Sequence, residues 1–311
     1  MILVTGGLGF IGSHTAQALL DLGESCVLTQ HRARRARPDL LADAVDRRVF
    51  VEPLDCADER AFLDIGKRHE VTGIVHLAGG DLGTLDPIDY LRSNTLGLLN
   101  ALRAAREWDV SRISIASTIG VYLGVPDVPF REDAPLPMTA VRPIPVVKKS
   151  AELFASLVAD SAGLDVVNLR ISTVWGPLIR NLEPVVPRLV HAAVRGSASS
   201  RAYADDGADL CYVKDCARGI ALLQLADTLH HRTYNVADGR ATKNSEVAAA
   251  IKSVLPDAVV DLRPGHDPDG SGADTYLDIA RIRDDTGYQP EYGIERGIAE
   301  YVDWLRAGHD C

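Results

Sequence analysis

Short apolar runs alternate along this chain with longer segments in which apolar residues recur every three or four positions. The runs have the length and composition of strands buried on both faces, and the periodic segments are typical of amphipathic helices. Strands are predicted at 2–5, 25–30, 48–52, 73–77, 112–117 and 165–171, and helices at 11–22, 59–69, 94–107 and 148–162. The alternation predicts βαβ units, and therefore an α/β fold with a doubly wound parallel sheet of the Rossmann type.

Two proline-containing segments interrupt this alternation. Residues 125–147 hold six prolines, which predicts an ordered loop at the edge of the sheet. Residues 175–209 leave the sheet, and the chain returns to it at 210–238. We therefore expect a dinucleotide-binding domain of residues 1–174 with 210–238. Residues 175–209 and 239–311 are expected to form a smaller C-terminal lobe that binds the substrate.

A glycine-rich turn joins the first predicted strand to the first predicted helix, with the sequence Thr5-Gly6-Gly7-Leu8-Gly9-Phe10-Ile11-Gly12. Gly6 permits the tight turn, Gly9 lets the backbone approach a pyrophosphate, and Gly12 allows close packing of helix on strand. Backbone N–H groups at the start of the helix, including Phe10 and Ile11, point towards such an anion. The turn therefore predicts a nicotinamide dinucleotide site.

Further motifs follow this turn in a fixed order. They are Leu54-Asp55-Cys56, Val75-His76-Leu77-Ala78, Asn94 with Gly97, Ser117-Thr118-Ile119-Gly120-Val121-Tyr122-Leu123-Gly124, Trp175-Gly176-Pro177, Tyr212-Val213-Lys214-Asp215, Tyr234-Asn235-Val236 and Gly287-Tyr288-Gln289-Pro290. Over nearly its whole length the chain thus resembles the extended short-chain dehydrogenase/reductase family of nucleotide-sugar epimerases, dehydratases and reductases. The resemblance implies that Asp55 and Cys56 contact the adenine, and that Leu77, Ala78 and Gly79 pass beside the nicotinamide ribose.

The residues at the end of the second predicted strand indicate whether the cofactor is NAD or NADP. An NAD site places an acid there to bond the ribose 2′-hydroxyl. This chain instead has Gln30 and His31 followed by a basic run, and guanidinium groups suit a 2′-phosphate. We expect NADPH/NADP⁺ as the cofactor, with contacts from His31, Arg32 and Arg35. Arg34 is a further candidate, whereas Arg37 is expected to be solvated.

The resemblance also implies a catalytic Ser/Thr, Tyr and Lys. Thr118 fits the first position, and Lys148 fits the third, where it would also hold the nicotinamide ribose. The residue four positions before Lys148 is Ile144, and shifting the register to Lys149 brings Pro145 to that place. Neither side chain exchanges a proton, so the chain lacks the general acid of the family.

Three interpretations follow from this loss. In the first, the chain is a reductase whose proton comes from elsewhere, for example from solvent after an internally hydrogen-bonded substrate accepts hydride. Loss of one general acid costs about 10²–10⁴-fold in rate. In the second, Tyr122, Asp81 or Tyr203 replaces the missing tyrosine. In the third, the chain is an NADP(H)-binding pseudoenzyme.

The predicted lobe carries the evidence on the substrate. Nucleotide-sugar members of the family hold a pyrophosphate with two arginines. Arg263 retains one, Ala208 stands in place of the other, and Asp209 beside it would repel a diphosphate unless Arg201 compensates. Apolar residues suited to a flat hydrophobic ligand are Leu82, Leu85, Ile144, Val146, Trp175, Val185 and Val186.

The chain therefore resembles the tailoring ketoreductases that reduce an aromatic-polyketide (angucyclinone-like) ketone to a secondary alcohol in antibiotic biosynthesis. Under this interpretation, the substrate would be contacted by Asp81, Thr118, Ile144 and Trp175. The alternative is a nucleotide-sugar reductase or epimerase. A cofactor-binding pseudoenzyme is the second alternative.

Composition narrows the possible partners. A net charge of −10 argues against nucleic-acid binding, and no apolar run approaches the roughly 20 residues of a membrane span. The five cysteines show neither CxxC nor metal-ligand spacing, so we expect reduced thiols, no metal and a cytoplasmic protein. The family resemblance implies a possible homodimer through helices 94–107 and 148–162.

Overall fold

The structure, a computed structural model, describes residues 1–31, 39–44, 47–79, 86–138, 142–197, 202–270 and 274–309. The strands in these ranges are β1 (Ile2–Thr5), β2 (Cys26–Gln30), β3 (Val49–Pro53), β4 (Gly73–His76), β5 (Arg112–Thr118), β6 (Val166–Ile171), β7 (Thr173–Trp175), β8 (Gly207–Ala208), β9 (Leu210–Tyr212), β10 (Thr233–Val236) and β11 (Thr242–Lys243). The helices are α1 (Phe10–Asp21), α2 (Glu59–Arg68), α3 (Pro87–Glu107), α4 (Pro143–Ala162), α5 (Val185–Val194), α6 (Val213–Leu225), α7 (Asn244–Val254), α8 (Ala280–Thr286) and α9 (Ile294–Arg306).

Seven of these strands form one parallel sheet in the order β10-β6-β5-β4-β1-β2-β3. The chain winds outward from β1 in one direction as far as β3 and then in the other direction from β4, which confirms the predicted α/β doubly wound fold. Ligands of such sheets bind at the carboxyl edge, where the winding direction reverses. Here that point lies between β1 and β4.

Two helices begin earlier than the sequence analysis expected. Helix α3 starts at Pro87, where the Asp86 side chain accepts the Ile88 N–H at 2.8 Å, and not at Asn94. Helix α4 starts at Pro143, inside the stretch expected to be a loop. Proline is tolerated in the first turn because its missing N–H would have no helical partner there. Pro143 and Pro145 therefore begin this helix.

Helices cover both faces of the sheet. Buried residues of α1 and α6 pack on one face, and those of α2, α3 and α4 pack on the other. A third cluster lies outside the sheet, where α5, α7 and α9 surround Trp175 and Tyr212. β7 pairs with β9 beside this cluster, whereas α6 returns to the sheet. The boundaries expected between the dinucleotide-binding domain and the C-terminal lobe stay a prediction.

A buried ion pair connects α4 to the centre of the sheet. The Arg170 guanidinium on β6 donates to both carboxylate oxygens of Glu152 on α4, with Nε–Oε1 at 3.1 Å and Nη2–Oε2 at 2.8 Å. Ser117 of β5 also donates to Glu152. The remaining Arg170 nitrogen donates to the Tyr122 hydroxyl at 2.9 Å and to the Glu132 carbonyl at 3.1 Å. The position of α4 over β5 and β6 is thereby fixed by polar contacts as well as by packing.

None of the helices within the described ranges combines the length and apolarity needed to cross a membrane.

The substitution Arg170→Met tests this ion pair. It removes the guanidinium but leaves Glu152 buried and charged, which destabilises a protein by about 3–5 kcal/mol. Urea unfolding followed by circular dichroism measures the change. The control is Arg232→Met, which breaks the exposed Arg232–Asp160 pair and is expected to cost less than about 1 kcal/mol. Equal effects of the two variants would contradict a special role for Arg170.

Candidate active site

The glycine-rich turn has the geometry that a dinucleotide requires. Gly6 has a φ of +68°, a conformation that side chains disfavour. A Cβ on Gly12 would lie 2.3 Å from the carbonyl oxygen of Gly6, so only glycine lets α1 approach the turn this closely. On Gly9, the nearest atom to a Cβ would be the Gly6 carbonyl at 3.0 Å. These three positions therefore fit the roles that the sequence assigned to them.

A cleft of about 730 Å³ opens beside this turn, along the carboxyl ends of β1, β2 and β4 and the first half of α3. The first N–H groups of α1, from Phe10, Ile11 and Gly12, have no carbonyl partner within their own helix, because a helix leaves its first turn unpaired. Together with the positive end of the helix dipole they favour an anion here. The predicted cofactor residues that line the cleft are Gly6, Gly9, His31, Asp55, Cys56, Leu77, Ala78 and Gly79.

The far end of the cleft contains a histidine–aspartate pair. His31 directly follows β2, and its Nε2 lies 3.2 Å from a carboxylate oxygen of Asp55. Both side chains are about half exposed, so a ligand in the cleft can reach them. Arg32 and Arg35, predicted to contact a 2′-phosphate, lie outside the described residues, as do Arg34 and Arg37.

His76 at the end of β4 is a residue of the site to which the sequence analysis gave no role of its own. It is buried, lines the cleft, and its Nδ1 lies 2.9 Å from the Thr5 hydroxyl oxygen. Burial, together with the smaller effect of the nearby Lys148 ammonium, lowers the pKa of its imidazole to about 3. His76 is therefore neutral at physiological pH. The only signal in the sequence was a polar residue at the end of an apolar strand.

The structure distinguishes the two lysines of α4. Lys149 donates to the backbone carbonyl of Pro137 and is largely buried. Lys148 is the lysine whose charge acts on His76 in the cleft. Burial lowers the pKa of the Lys148 ammonium to about 8, opposed by the Glu152 carboxylate one turn further along the helix. Lys148 rather than Lys149 thus lies near His76, a residue of the cleft wall, although Lys148 does not itself line the cleft.

Thr118, the other predicted catalytic residue, is the last residue of β5 and is partly exposed. Its Oγ1 accepts the Gly120 N–H at 3.2 Å, which leaves the hydroxyl hydrogen available to a ligand. Ile144 lies in the first turn of α4 with 36% of its surface exposed. An apolar side chain therefore occupies the exposed position one turn before Lys148.

Two of the three candidates for a replacement acid lie within the described residues, and neither fills this gap. Tyr122 is fully buried, donates to Asn235 Oδ1 at 2.8 Å and has its pKa raised to about 12 by burial. The Tyr203 hydroxyl accepts from Arg263 Nη1 at 3.1 Å and belongs to the lobe. Asp81 lies outside the described residues. The structure gives neither tyrosine a proton-donor role.

The lobe departs from two sequence-based expectations. Trp175 is 1% exposed and donates its indole N–H to the Leu210 carbonyl at 3.0 Å, so it belongs to the core of the lobe and not to a ligand surface. Asp209 is also buried, and its carboxylate accepts the backbone N–H groups of Asp238 at 2.9 Å and Gly239 at 3.1 Å. Because Asp209 points into the fold, it does not repel a diphosphate.

The other residues expected to contact the substrate lie partly on the surface and partly in the core. Arg263 is exposed, and its guanidinium lies 5.4 Å from the centre of the Tyr203 ring. Val186 is buried in the core of the lobe. Leu82, Leu85 and Arg201 lie outside the described residues. Within the described part of the chain, no cluster of three or more histidine, cysteine, aspartate or glutamate side chains has the arrangement of a metal site.

The NAD dependent epimerase/dehydratase family model matches residues 2–237, more than half of the chain. The chain belongs to this family. The matched span includes the whole parallel sheet, the glycine-rich turn, Thr118 and Lys148.

Relatives match along nearly the whole chain. The UDP-glucose 4-epimerase of Azospirillum brasilense is 28% identical over 333 residues, covering 98% of this chain and 92% of its own length. The dTDP-glucose 4,6-dehydratase of Streptomyces niveus is 29% identical, with the same two shares covered. The solved UDP-glucose 4-epimerase of Thermus thermophilus, a complex with NAD, is 27% identical with a TM-score of 0.79 and coverage of 99% of both chains.

These relatives favour the alternative of the sequence analysis over its main interpretation. They are nucleotide-sugar enzymes, and none of them is a polyketide ketoreductase. The expected closer resemblance to polyketide ketoreductases thus has no support from them. The solved relative contains NAD, and nothing in these matches points to NADPH.

The substitution Gly12→Ala tests the glycine-rich turn. Its Cβ would contact the Gly6 carbonyl oxygen and displace α1 from the turn, so we expect affinity for the dinucleotide to fall by at least about tenfold. Isothermal titration with NADPH and NADH measures this. Gly293→Ala is the matched control, because the nearest atom to its Cβ is 3.7 Å away. Unchanged dinucleotide binding by Gly12→Ala would show that the cofactor does not use this turn.

Proposed function

We propose that this protein is an NADP(H)-dependent reductase that reduces the keto group of a nucleotide-linked sugar to an alcohol without a tyrosine acid. The observation that carries the proposal is the combination of Lys148 beside the dinucleotide cleft with Ile144 one turn before it. When bound, the nicotinamide supplies or accepts hydride. Gly6, Gly9 and the start of α1 would hold its pyrophosphate, and Lys148 would hold its ribose.

Reduction is favoured over epimerisation by the identity of residue 144. An epimerase first removes a proton from a hydroxyl group, which requires a base next to the reacting carbon. Ile144 provides none, and Lys148, with a pKa of about 8, is mainly protonated at neutral pH and so is better suited to donate a proton than to remove one. A reductase needs a proton on the alkoxide oxygen only as the hydride arrives, and a lysine ammonium or solvent can supply it.

A nucleotide-linked sugar is favoured by the relatives and by the lobe. The matched epimerases and dehydratase align over the lobe as well as over the sheet. Asp209 is buried and its carboxylate accepts backbone N–H groups, so it does not line the surface that a diphosphate would contact. Arg263 is exposed and stacked on Tyr203, which positions a planar guanidinium for a phosphate.

The preference for NADPH over NADH rests on the end of β2. An acid that would bond the 2′-hydroxyl of NAD is absent from the described residues of this strand, and His31 follows it directly. Asp55 is paired with His31. The basic sequence from Arg32 onwards supports a 2′-phosphate by its charge.

A second candidate substrate is an apolar aromatic ketone, such as that of a polyketide. The exposed Ile144 side chain in the first turn of α4 favours it. Ala208 favours it as well, because it stands where nucleotide-sugar members of the family have a phosphate-binding arginine. A ketone hydrogen-bonded to its own neighbouring hydroxyl would also depend less on an enzyme acid.

We also propose a homodimer through α3 and α4. These helices pack side by side, and each exposes large apolar residues. Monomeric proteins seldom carry a cluster of such residues on their surface. On α3 the exposed residues are Ile88, Leu91 and Leu99, and on α4 they are Leu153, Phe154 and Leu157, with exposed fractions from 39% to 69%.

The double substitution Leu153→Glu with Leu157→Glu tests the dimer. It places two charges on each exposed α4 face, so sedimentation velocity is expected to show a dimer for the wild type and a monomer for the variant. Val259→Glu changes an exposed apolar residue outside these helices and is the control. A monomeric wild type at micromolar concentration would contradict the proposal.

Turnover assays test the function itself. The purified protein is mixed with NADPH or NADH and either a 4-keto nucleotide sugar or a polycyclic aromatic ketone, and loss of reduced cofactor is followed by absorbance. We expect alcohol formation from the keto sugar, at least about tenfold faster with NADPH because a 2′-phosphate gains charge-assisted hydrogen bonds. Ile144→Tyr restores a phenol at the position of the missing acid. If the general acid limits the rate, this variant raises kcat.

The other results of the same assay are also informative. Turnover of the aromatic ketone alone would replace the first substrate candidate with the second. Tight cofactor binding without turnover of either ketone would indicate the pseudoenzyme and contradict the proposed function.

A further inference from the structure

We propose that Lys148 itself donates the proton to the carbonyl oxygen of the substrate, so that one lysine both holds the cofactor and acts as the general acid. This inference rests on the proposed function, because it concerns the reductive step of that reaction. It assigns a chemical source to the proton that Ile144 cannot supply.

The geometry of α4 carries the proposal. Ile144, Lys148 and Glu152 are spaced four residues apart and therefore lie on one face of the helix. Glu152 is held by Arg170 and by Ser117 of β5, which fixes the rotation of this face towards the sheet. Since α4 begins at Pro143, Lys148 lies one turn nearer than Glu152 to the N-terminal end of the helix, where Ile144 is exposed.

Lys148 is also available for this role. In the described part of the chain, no carboxylate or carbonyl accepts a hydrogen bond from its ammonium group. The neighbouring Lys149 is instead bound to the carbonyl of Pro137. The nearest substitute for the missing phenol is thus an ammonium group one turn further along the same face, beside the cleft.

The charges around Lys148 suit proton donation near neutral pH. Among the described residues, the Glu152 carboxylate on its own helix is the charge that acts on Lys148, and Lys148 in turn acts on His76 of β4. His76 is neutral at physiological pH and adds no charge. Burial brings the pKa of Lys148 to about 8, and a general acid is most effective when its pKa lies near the working pH.

When bound, reduced nicotinamide would supply the hydride that the carbonyl carbon of the substrate gains, and the nicotinamide would be oxidised. The π electrons of the C=O bond would move onto the oxygen. That oxygen forms an O–H bond as one N–H bond of Lys148 breaks, leaving a neutral amine that regains its proton from water. Thr118 donates a hydrogen bond to the same oxygen from the hydroxyl hydrogen that its contact with Gly120 leaves free.

The substitution Lys148→Arg separates proton donation from positive charge. Arginine keeps the charge and the hydrogen-bond donors that a ribose needs, but its pKa is too high for it to give up a proton. We expect NADPH affinity within about threefold of the wild type and a kcat lower by about 10²–10⁴-fold. Lys148→Met is expected to lose both. Lys149→Arg is the matched control and is expected to leave both nearly unchanged.

The pH dependence adds a readout that a purely structural lysine would not change. An acid must be protonated to act, so kcat of the wild type is expected to fall about tenfold per pH unit above pH 8. This descending limb disappears in Lys148→Arg. Rapid turnover by Lys148→Arg, with the same descending limb, would overturn the inference.

A measurement without turnover separates this inference from the proposed function. Competitive acetylation at a series of pH values, read by mass spectrometry, gives the pKa of individual amines. We expect a value near 8 for Lys148 in the full chain, and an ordinary value near 10.5 would overturn the inference even if ketones are reduced. Absence of ketone reduction by the wild type would instead overturn the proposed function.

Discussion

The site depends on where α4 lies, and α4 is held by the buried pair of Glu152 and Arg170. Two opposite charges in a protein interior are stable only when their remaining hydrogen-bonding groups also find partners. Here Ser117 donates a further hydrogen bond to the Glu152 carboxylate. The Tyr122 hydroxyl and the Glu132 carbonyl accept the remaining hydrogen bonds of the Arg170 guanidinium. Because these partners come from β5 and from the segment that follows it, the helix carrying Lys148 is tied to the strand carrying Thr118.

This arrangement separates structural polar groups from chemical ones. Tyr122 has an ionisable hydroxyl, but this group donates to Asn235 and accepts from Arg170, and its pKa is raised by burial. Lys148 on α4 donates to no carboxylate or carbonyl of the described residues, and burial lowers its pKa to about 8. The chain therefore retains a proton donor of suitable strength although it lacks the tyrosine of the resembling family.

The sheet and the cofactor turn were predictable from the sequence because their signals are local. Apolar runs identified six of the seven strands of the parallel sheet to within one or two residues, and the spacing of Gly6, Gly9 and Gly12 indicated the turn. The burial of Trp175 in the core of the lobe and the inward orientation of the Asp209 carboxylate were not predictable. Each depends on contacts with segments far away in the sequence. Asp209 is satisfied by N–H groups about 30 residues further along the chain, and only folding brings them together. The start of α4 was missed because prolines indicate loops unless they fall in the first turn.

The two prolines of that first turn have an electrostatic consequence. The N-terminus of α1 offers a full set of backbone donors beside the glycine-rich turn and so attracts phosphate. The N-terminus of α4, at the same edge of the sheet, lacks the donors that Pro143 and Pro145 would otherwise provide. The start of α1 thus favours an anion through its backbone, whereas the start of α4 offers fewer backbone donors and exposes the apolar Ile144 beside its N-cap residue Arg142. An anion at α4 would therefore depend on a side-chain cation and not on the helix backbone.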